Sequence, residues 1–244
     1  MAEIAEPGRR LLATAWITSA GLFLPTGGVG VGLAAEKSKT RGEEREVGAA
    51  EDLMREHGVL RRALLVYIES VPKIRSNSGS FPADALATTA KLFRSFGEDY
   101  HERMLEEAFI FPAVKKAGGA ATVYVDVLKA QHDRGREITD YILAVTSKGG
   151  IGIGDAEPLA RAFESFVLMY QNHTAREDTI VFPAWKDALT ERQLREMGER
   201  FEDIEHRQFG KDGYEDAVKQ IGHIEQVLGL SDLAQFTAPP APKI

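Results

Sequence analysis

The chain reads as all-α: an up-down-up-down four-helix bundle extended by one or two C-terminal helices. From Ala49 to about Leu230 apolar residues recur at helical spacing, with glycines and prolines where helices should stop. No segment alternates apolar and polar residues as a half-buried strand would. The second and fourth helical segments also repeat one another, as do the first and third, so the bundle is built from two copies of one hairpin.

Helix one is predicted from about Glu51 to Val71, stopped by Pro72 and the polar run from Ser76 to Ser80. Helix two starts near Pro82, which suits a first turn, and runs to Gly118-Gly119. Helix three covers about Ala121 to Lys148 and stops at Gly149-Gly150. Helix four starts at Asp155, with Pro158 in its opening turn, and reaches about Leu189. Thr190 with Gln193 forms a capping box for a fifth helix to Phe209, and a sixth spans Tyr214 to Leu228.

The two ends read differently. Residues 1–35 are read as an export signal: Arg9-Arg10 precedes an apolar stretch from Leu11 to Pro25 and a Gly/Val run to Ala34-Ala35. The pattern looks like a twin-arginine or a general secretory signal, which points to the periplasm; without such a signal the chain would stay in the cytoplasm. The break at Pro25-Thr26-Gly27-Gly28 leaves the apolar run short for a span, so no stable membrane segment is expected after its removal. Residues 36–48 form a charged linker, 49–230 the bundle, and 231–244, with three prolines after Thr237, a flexible tail. The formal net charge of −7, without a basic stripe, argues against nucleic acid as a partner. With no cysteine in the 244 residues, any metal must be held by His, Asp or Glu.

The repeat supplies such a set. His101-Glu102-Arg103-Met104-Leu105-Glu106 through Phe111-Pro112-Ala113 aligns with His173-Thr174-Ala175-Arg176-Glu177 through Phe182-Pro183-Ala184. His57 with Arg61 likewise aligns with His132 and Arg136. The copies are offset by 75 residues at the first His and by 72 at the second. Each hairpin therefore presents one His on its first helix and a His plus a Glu on its second, and two hairpins about a pseudo-twofold axis would bring all six groups to the centre.

His173 and Glu177, four residues apart, lie on one helical face. Imidazole and carboxylate together suit Fe, Mn or Zn, and six ligands for two ions leave open positions for dioxygen, water or a bridging oxo or hydroxo group. Glu106 follows His101 by five residues, which points it to the wrong side of a regular helix. A π-bulge between them would restore the face. In a regular helix, Glu102 becomes the better carboxylate. Glu107 and Asp178 correspond across the repeat and read as solvated neighbours, while Arg61 and Arg136 either pair with carboxylates behind the site or face solvent as free charges. His206 is a further candidate that could cover the open end of the bundle; His223 reads as a surface residue. The two Phe-Pro pairs read as the end of regular helix pairing, with their aromatic rings in the core.

These motifs, spread over roughly residues 50 to 210, resemble the hemerythrin-like, or HHE cation-binding, family. They are His57 in Arg55-Glu56-His57-Gly58, the His101 to Glu106-Glu107 to Phe111-Pro112 pattern, Gln131-His132, and His173 through Phe182-Pro183. The resemblance implies a non-haem di-iron centre that binds dioxygen or handles iron. The sequence departs from hemerythrins proper in two places: Arg136 stands where their third helix has a second His, and Glu177 takes the place of the fourth helix's usual Asp.

The leading expectation is a binding protein with two iron ions, oxo- or hydroxo-bridged, that takes dioxygen or senses or sequesters iron. A di-iron enzyme acting on peroxide, nitric oxide or ferrous iron is the alternative. A metal-free helical interaction module is the third reading. No nucleophile elbow, phosphate-cradling loop or nucleotide fingerprint occurs.

Overall fold

The computed structural model describes residues 47–242. The predicted export signal and all but the last two residues of the charged linker lie outside the described residues. Among those residues there are six helices and no strand: α1 Ala49–Asn77, α2 over 83–117, α3 Thr122–Thr146, α4 over 153–187, α5 Glu191–Phe209 and α6 Gly213–Leu228. Short 3₁₀ turns at Ser78–Ser80 and Leu233–Phe236 follow α1 and α6.

The first four helices alternate in direction. Near the start of α1, Glu51 pairs with Lys186 late in α4, whereas Arg75 near its end pairs with Glu157 and Glu164 early in α4. In the same way Arg94 of α2 meets Asp140 late in α3, and Lys115 meets Asp126 early in it. Gly118 and Gly119, at φ of 78° and 87°, make the tight exit from α2 that a β-carbon would strain. The last two helices lie against the bundle. Arg62 of α1 donates two hydrogen bonds to Glu225 of α6, at 2.8 and 2.6 Å. Phe201 of α5 stacks on Trp185, with ring centroids 5.9 Å apart. The predicted capping box closes the start of α5: Gln193 N–H donates to Thr190 Oγ1 at 3.3 Å, and Thr190 N–H to Gln193 Oε1 at 2.9 Å.

Two boundaries differ from expectation. The first helix does not stop at Pro72 but runs through it to Asn77. Packing outweighs the bond lost at proline, because the extra turn buries Ile74 and places Arg75 against two α4 carboxylates. The expected π-bulge in α2 is not a single turn: residues Phe93–Ile110 are π-helical, between α-helical Ala83–Leu92 and Phe111–Ala117. Burial follows that wider winding, since Phe93, Gly97, Glu102, Glu106 and Ile110 are buried at steps of four or five residues. A shorter π segment, Glu177–Val181, interrupts α4 between Ile153–Arg176 and Phe182–Asp187.

Both π segments end at Phe-Pro. The Phe111 N–H donates to the Glu106 carbonyl and the Phe182 N–H to the Glu177 carbonyl, five residues back in each case. The proline that follows has no N–H in either register, so the changeover back to α-helix falls where one bond is missing anyway.

Among the carboxylates inside the bundle, Glu98 stands away from the six predicted metal-facing groups. It accepts from Thr139 Oγ1 at 2.5 Å, and burial, more than any neighbour, pushes its pKa from 4.5 up to about 7. A carboxyl whose folded pKa is raised holds its proton more tightly folded than unfolded, so its contribution is present below the unfolded pKa and is lost as pH rises through 7. Glu98→Gln should therefore gain stability relative to the parent chain by about 3 kcal/mol between about pH 5 and about pH 8. Urea unfolding at the two pH values measures this, and a difference that does not change with pH would contradict it.

Candidate metal centre

The structure brings the six predicted side chains to one place in the middle of the bundle. His57 comes from α1, His101 and Glu106 from the π segment of α2, His132 from α3, and His173 and Glu177 from α4, the last at the start of its π segment. All six are buried, none more than 2% exposed. The wide winding of α2 is what lets Glu106, five residues after His101, face the same interior, with Oε1 3.4 Å from His101 Nε2. In α4 the α-helical step of four already does this, and Glu177 Oε2 lies 2.9 Å from His173 Nε2.

The imidazoles form two pairs. His57 Nε2 and His101 Nε2 are 3.0 Å apart, and His132 Nε2 and His173 Nε2 are 3.1 Å apart. Each Nδ1 faces an acceptor: Asp178 Oδ1 at 2.7 Å from His57, Glu56 Oε2 at 2.5 Å from His101, Glu107 Oε1 at 3.1 Å from His132, and Gln131 Oε1 at 3.0 Å from His173. The ring proton of each is thereby assigned to Nδ1, which leaves lone pairs on the Nε2 atoms facing one another within each pair. Two lone pairs at 3 Å repel unless a proton or a metal cation lies between them, and in each pair one ring, His101 or His132, has its pKa raised. Two nitrogens about 2.1 Å from one ion, at ligand angles of about 90° to 110°, would be about 3.0 to 3.4 Å apart.

Glu106 and Glu177 connect the pairs. Glu106 Oε2 is 3.2 Å from His132 Nε2, while its other oxygen faces His101. Glu177 Oε2 is 3.5 Å from His57 Nε2 as well as near His173, and Oε1 is 3.9 Å from His132 Nε2. None of the four carboxylate oxygens has a hydrogen-bond partner. Two overlapping groups can each hold an ion: His57, His101 and Glu106 in one, and Glu106, His132, His173 and Glu177 in the other.

Electrostatics divides the six groups. Burial, with the nearby Glu106 anion, pushes the Glu177 carboxyl well above its usual range. Burial opposes ionisation of Glu106 too, but the facing His101 and His132 rings hold its carboxyl well below that range. Burial also lowers the pKa of His57 and, more strongly, of His173. His101 and His132 go the other way: burial opposes their charge, but Glu106 and Glu56 raise His101 well above its usual range, and Glu102, Glu106 and Glu107 bring His132 up to about 10. A metal would therefore have to displace protons from these two rings and from Glu177.

The shell behind these groups repeats with the same pseudo-symmetry. Glu56 and Gln131, each just before the first His of its copy, accept from the second His of that copy. Asp178 and Glu107 accept from the first His of the opposite copy, and pair with Arg61 and Arg136 respectively. Phe182 stacks on His57 and Phe111 on His132, with centroids 5.3 and 5.4 Å apart. Reading Glu107 and Asp178 as solvated neighbours is thus corrected: ordering an imidazole holds each of them inward. Burial opposes the Glu107 anion, yet His132 and Arg136 bring its pKa down to about 2.

Sequence reasoning gave no role to Glu56 or Gln131, although the shared position before a repeated histidine was a usable signal. Two further candidates lie elsewhere. Glu102 is buried but engaged by Tyr170 Oη at 2.6 Å and Arg136 Nη2 at 3.2 Å. It shares a possible cation group with Glu107 and His132, but Arg136 already supplies positive charge there. His206 is exposed on α5 and does not cover the site, because the inward stripe of that helix is Phe201 and Glu205. His223 is exposed on α6, as expected.

Comparison with known proteins fits this geometry. The family model described as the hemerythrin HHE cation binding domain matches residues 48–185. An uncharacterized protein of Mycobacterium tuberculosis and one of Mycobacterium bovis are each 44% identical over 196 residues, covering 80% of this chain and 76% of theirs. No solved structure matches the chain significantly.

Because Glu106 and Glu177 face both imidazole pairs, Glu106→Ala or Glu177→Ala should reduce metal content at both positions, while His57→Ala should remove mainly one equivalent. Asp178→Asn and Glu107→Gln should weaken binding by about 10- to 100-fold by loosening an imidazole. Elemental analysis and chelator competition read both effects. Equal loss of both ions in His57→Ala and Glu106→Ala would contradict the bridging arrangement.

Proposed function

The chain belongs to the hemerythrin HHE cation-binding family, and on that premise we propose that it is a non-haem di-iron protein whose metal pair binds dioxygen. His57 and His101 would hold one ion, His132 and His173 the other, with Glu106 and Glu177 spanning the two. The observation that carries this reading is the pair of facing Nε2 contacts at 3.0 and 3.1 Å, with every Nδ1 occupied and both spanning carboxylates otherwise unpartnered. A metal-free module would have to keep His101 and His132 protonated against Glu106 and hold Glu177 buried as the uncharged acid.

The mixed nitrogen and oxygen donor set suits iron, and also manganese or zinc. Bound iron would supply a redox-active Lewis acid with positions left open by a sparse ligand set. The chain's own residues do the rest. Asp178, Glu56, Glu107 and Gln131 fix the ring orientations, Phe111 and Phe182 cover two imidazole faces, and burial excludes bulk water. Arg136, bonded to Glu102 and Glu107, contributes no ligand where hemerythrins proper have a fifth histidine, so the two halves offer equal sets of imidazoles. No helix among the described residues is long and apolar enough to cross a membrane. The N-terminal sequence supports export as the location.

Protein purified anaerobically and reconstituted with ferrous iron should take up two ions per chain and develop an oxo-to-iron absorption in air that is reversed by deoxygenation. Zinc or manganese in place of iron, or an absorption that oxygen removal leaves unchanged, would overturn the dioxygen reading. Iron at about 100 times its Kd should also stabilise the fold by about 2.7 kcal/mol. An unchanged melting temperature would instead favour the metal-free module.

A further inference from the structure

We infer that Tyr170 is a redox-active residue of this centre, an internal donor of one electron to the metal pair. The inference rests on the metal-pair reading above, not on dioxygen as its ligand. Tyr170 is buried on α4, and its ring centroid lies 5.2 Å from that of His173. Its hydroxyl donates to Glu102 Oε1 at 2.6 Å, and Arg136 Nη2 holds the other oxygen of that carboxylate at 3.2 Å. One side chain therefore touches an imidazole of the centre and, at its other end, a fixed proton acceptor.

The neighbouring helix makes room for this contact. A β-carbon at Gly135 of α3 would fall 2.2 Å from Tyr170 Oη, so only glycine leaves the hydroxyl where it is. Glycine in a helix interior costs about 1 kcal/mol relative to alanine. Phe93 and Phe166 pack edge-on against the Tyr170 ring, with centroids 5.1 and 4.8 Å away, and would shield a phenoxyl from solvent.

The other buried tyrosines lack one or another of these features. Tyr67 Oη has no hydrogen-bond partner and so nowhere to place a proton. Tyr100 donates to Glu56 at the longer distance of 3.0 Å, that carboxylate also takes the His101 N–H, and the Tyr100 ring packs on Phe96 and Phe209.

The step balances with hydrogen peroxide as oxidant. Breaking the O–O bond to give two waters takes two electrons and two protons. With iron bound and holding a single reducing electron, the metal would supply one electron and Tyr170 would supply the other. The phenolic proton passes to Glu102 Oε1, two solvent protons complete the waters, and the products are a neutral Tyr170 phenoxyl, a protonated Glu102 and a metal pair oxidised by one electron. Peroxide is thereby reduced without release of a hydroxyl radical.

The test is rapid-freeze electron paramagnetic resonance on full-length, iron-loaded protein poised at the one-electron-reduced level and mixed with hydrogen peroxide. An organic-radical signal should appear, narrow when the protein carries ring-deuterated tyrosine, vanish in Tyr170→Phe and persist in Tyr100→Phe. Glu102→Gln, which keeps a side chain of the same shape but cannot take the proton, should lose at least most of the signal at equal iron content. Gly135→Ala should reduce it as well, by displacing the hydroxyl. A signal that survives in Tyr170→Phe, or no signal from wild-type protein holding two iron ions, overturns the inference and leaves the metal-pair reading standing. Protein that takes up no iron overturns both.

Discussion

Four hydrogen bonds from imidazole Nδ1 to a fixed oxygen organise the rest of the bundle. Each turns an Nε2 lone pair inward, and the four together produce an interior that is chemically incomplete without positive charge. Two carboxylates buried side by side are costly, so the helices are arranged around a charge balance that protons on His101, His132 and Glu177 can supply and that a bound cation would supply in their place. The aromatic stacking of Phe111 and Phe182 on histidine rings, and the ion pairs of Arg61 and Arg136, make sense as ways of holding these groups still.

Much of this was legible because the chain repeats itself. A single buried histidine says little, but histidines at matching positions of two hairpins mark a shared centre, and the Phe-Pro anchors fix the alignment even where the spacing differs by one residue. That one-residue mismatch also foretold the π winding of α2. Its length was not legible, since a run of 18 π-helical residues depends on burial at steps of four and five against three other helices, which local propensity does not report. Pro72 misled for a similar reason: helix-breaking is a local rule, and the contacts of Ile74 and Arg75 that override it are long-range. The roles of Glu56, Gln131, Glu107 and Asp178 were hidden because each acts on an imidazole from a different helix.

The two halves match in chemistry but differ in exposure. Arg61, whose partner is Asp178, has 43% of its side chain exposed, whereas Arg136, which holds both Glu107 and Glu102, has 10%. The half with the more enclosed arginine is also the half that carries the Tyr170 and Glu102 pair. The pseudo-twofold is thus imperfect on that side, where Gly135 leaves room for the Tyr170 hydroxyl.

The π segment of α2 carries a cost at the level of the gene. Because Glu106 faces inward only in that winding, the loss of a single codon between those for His101 and Glu106 would let the helix relax to α while restoring the four-residue step found in α4. A codon gained between them would instead turn one group about 100° further from the other, whereas one lost before His101 leaves their spacing unchanged. Insertions and deletions should therefore be filtered from this stretch by position and sign, leaving length as a more faithful marker of a working copy than residue identity.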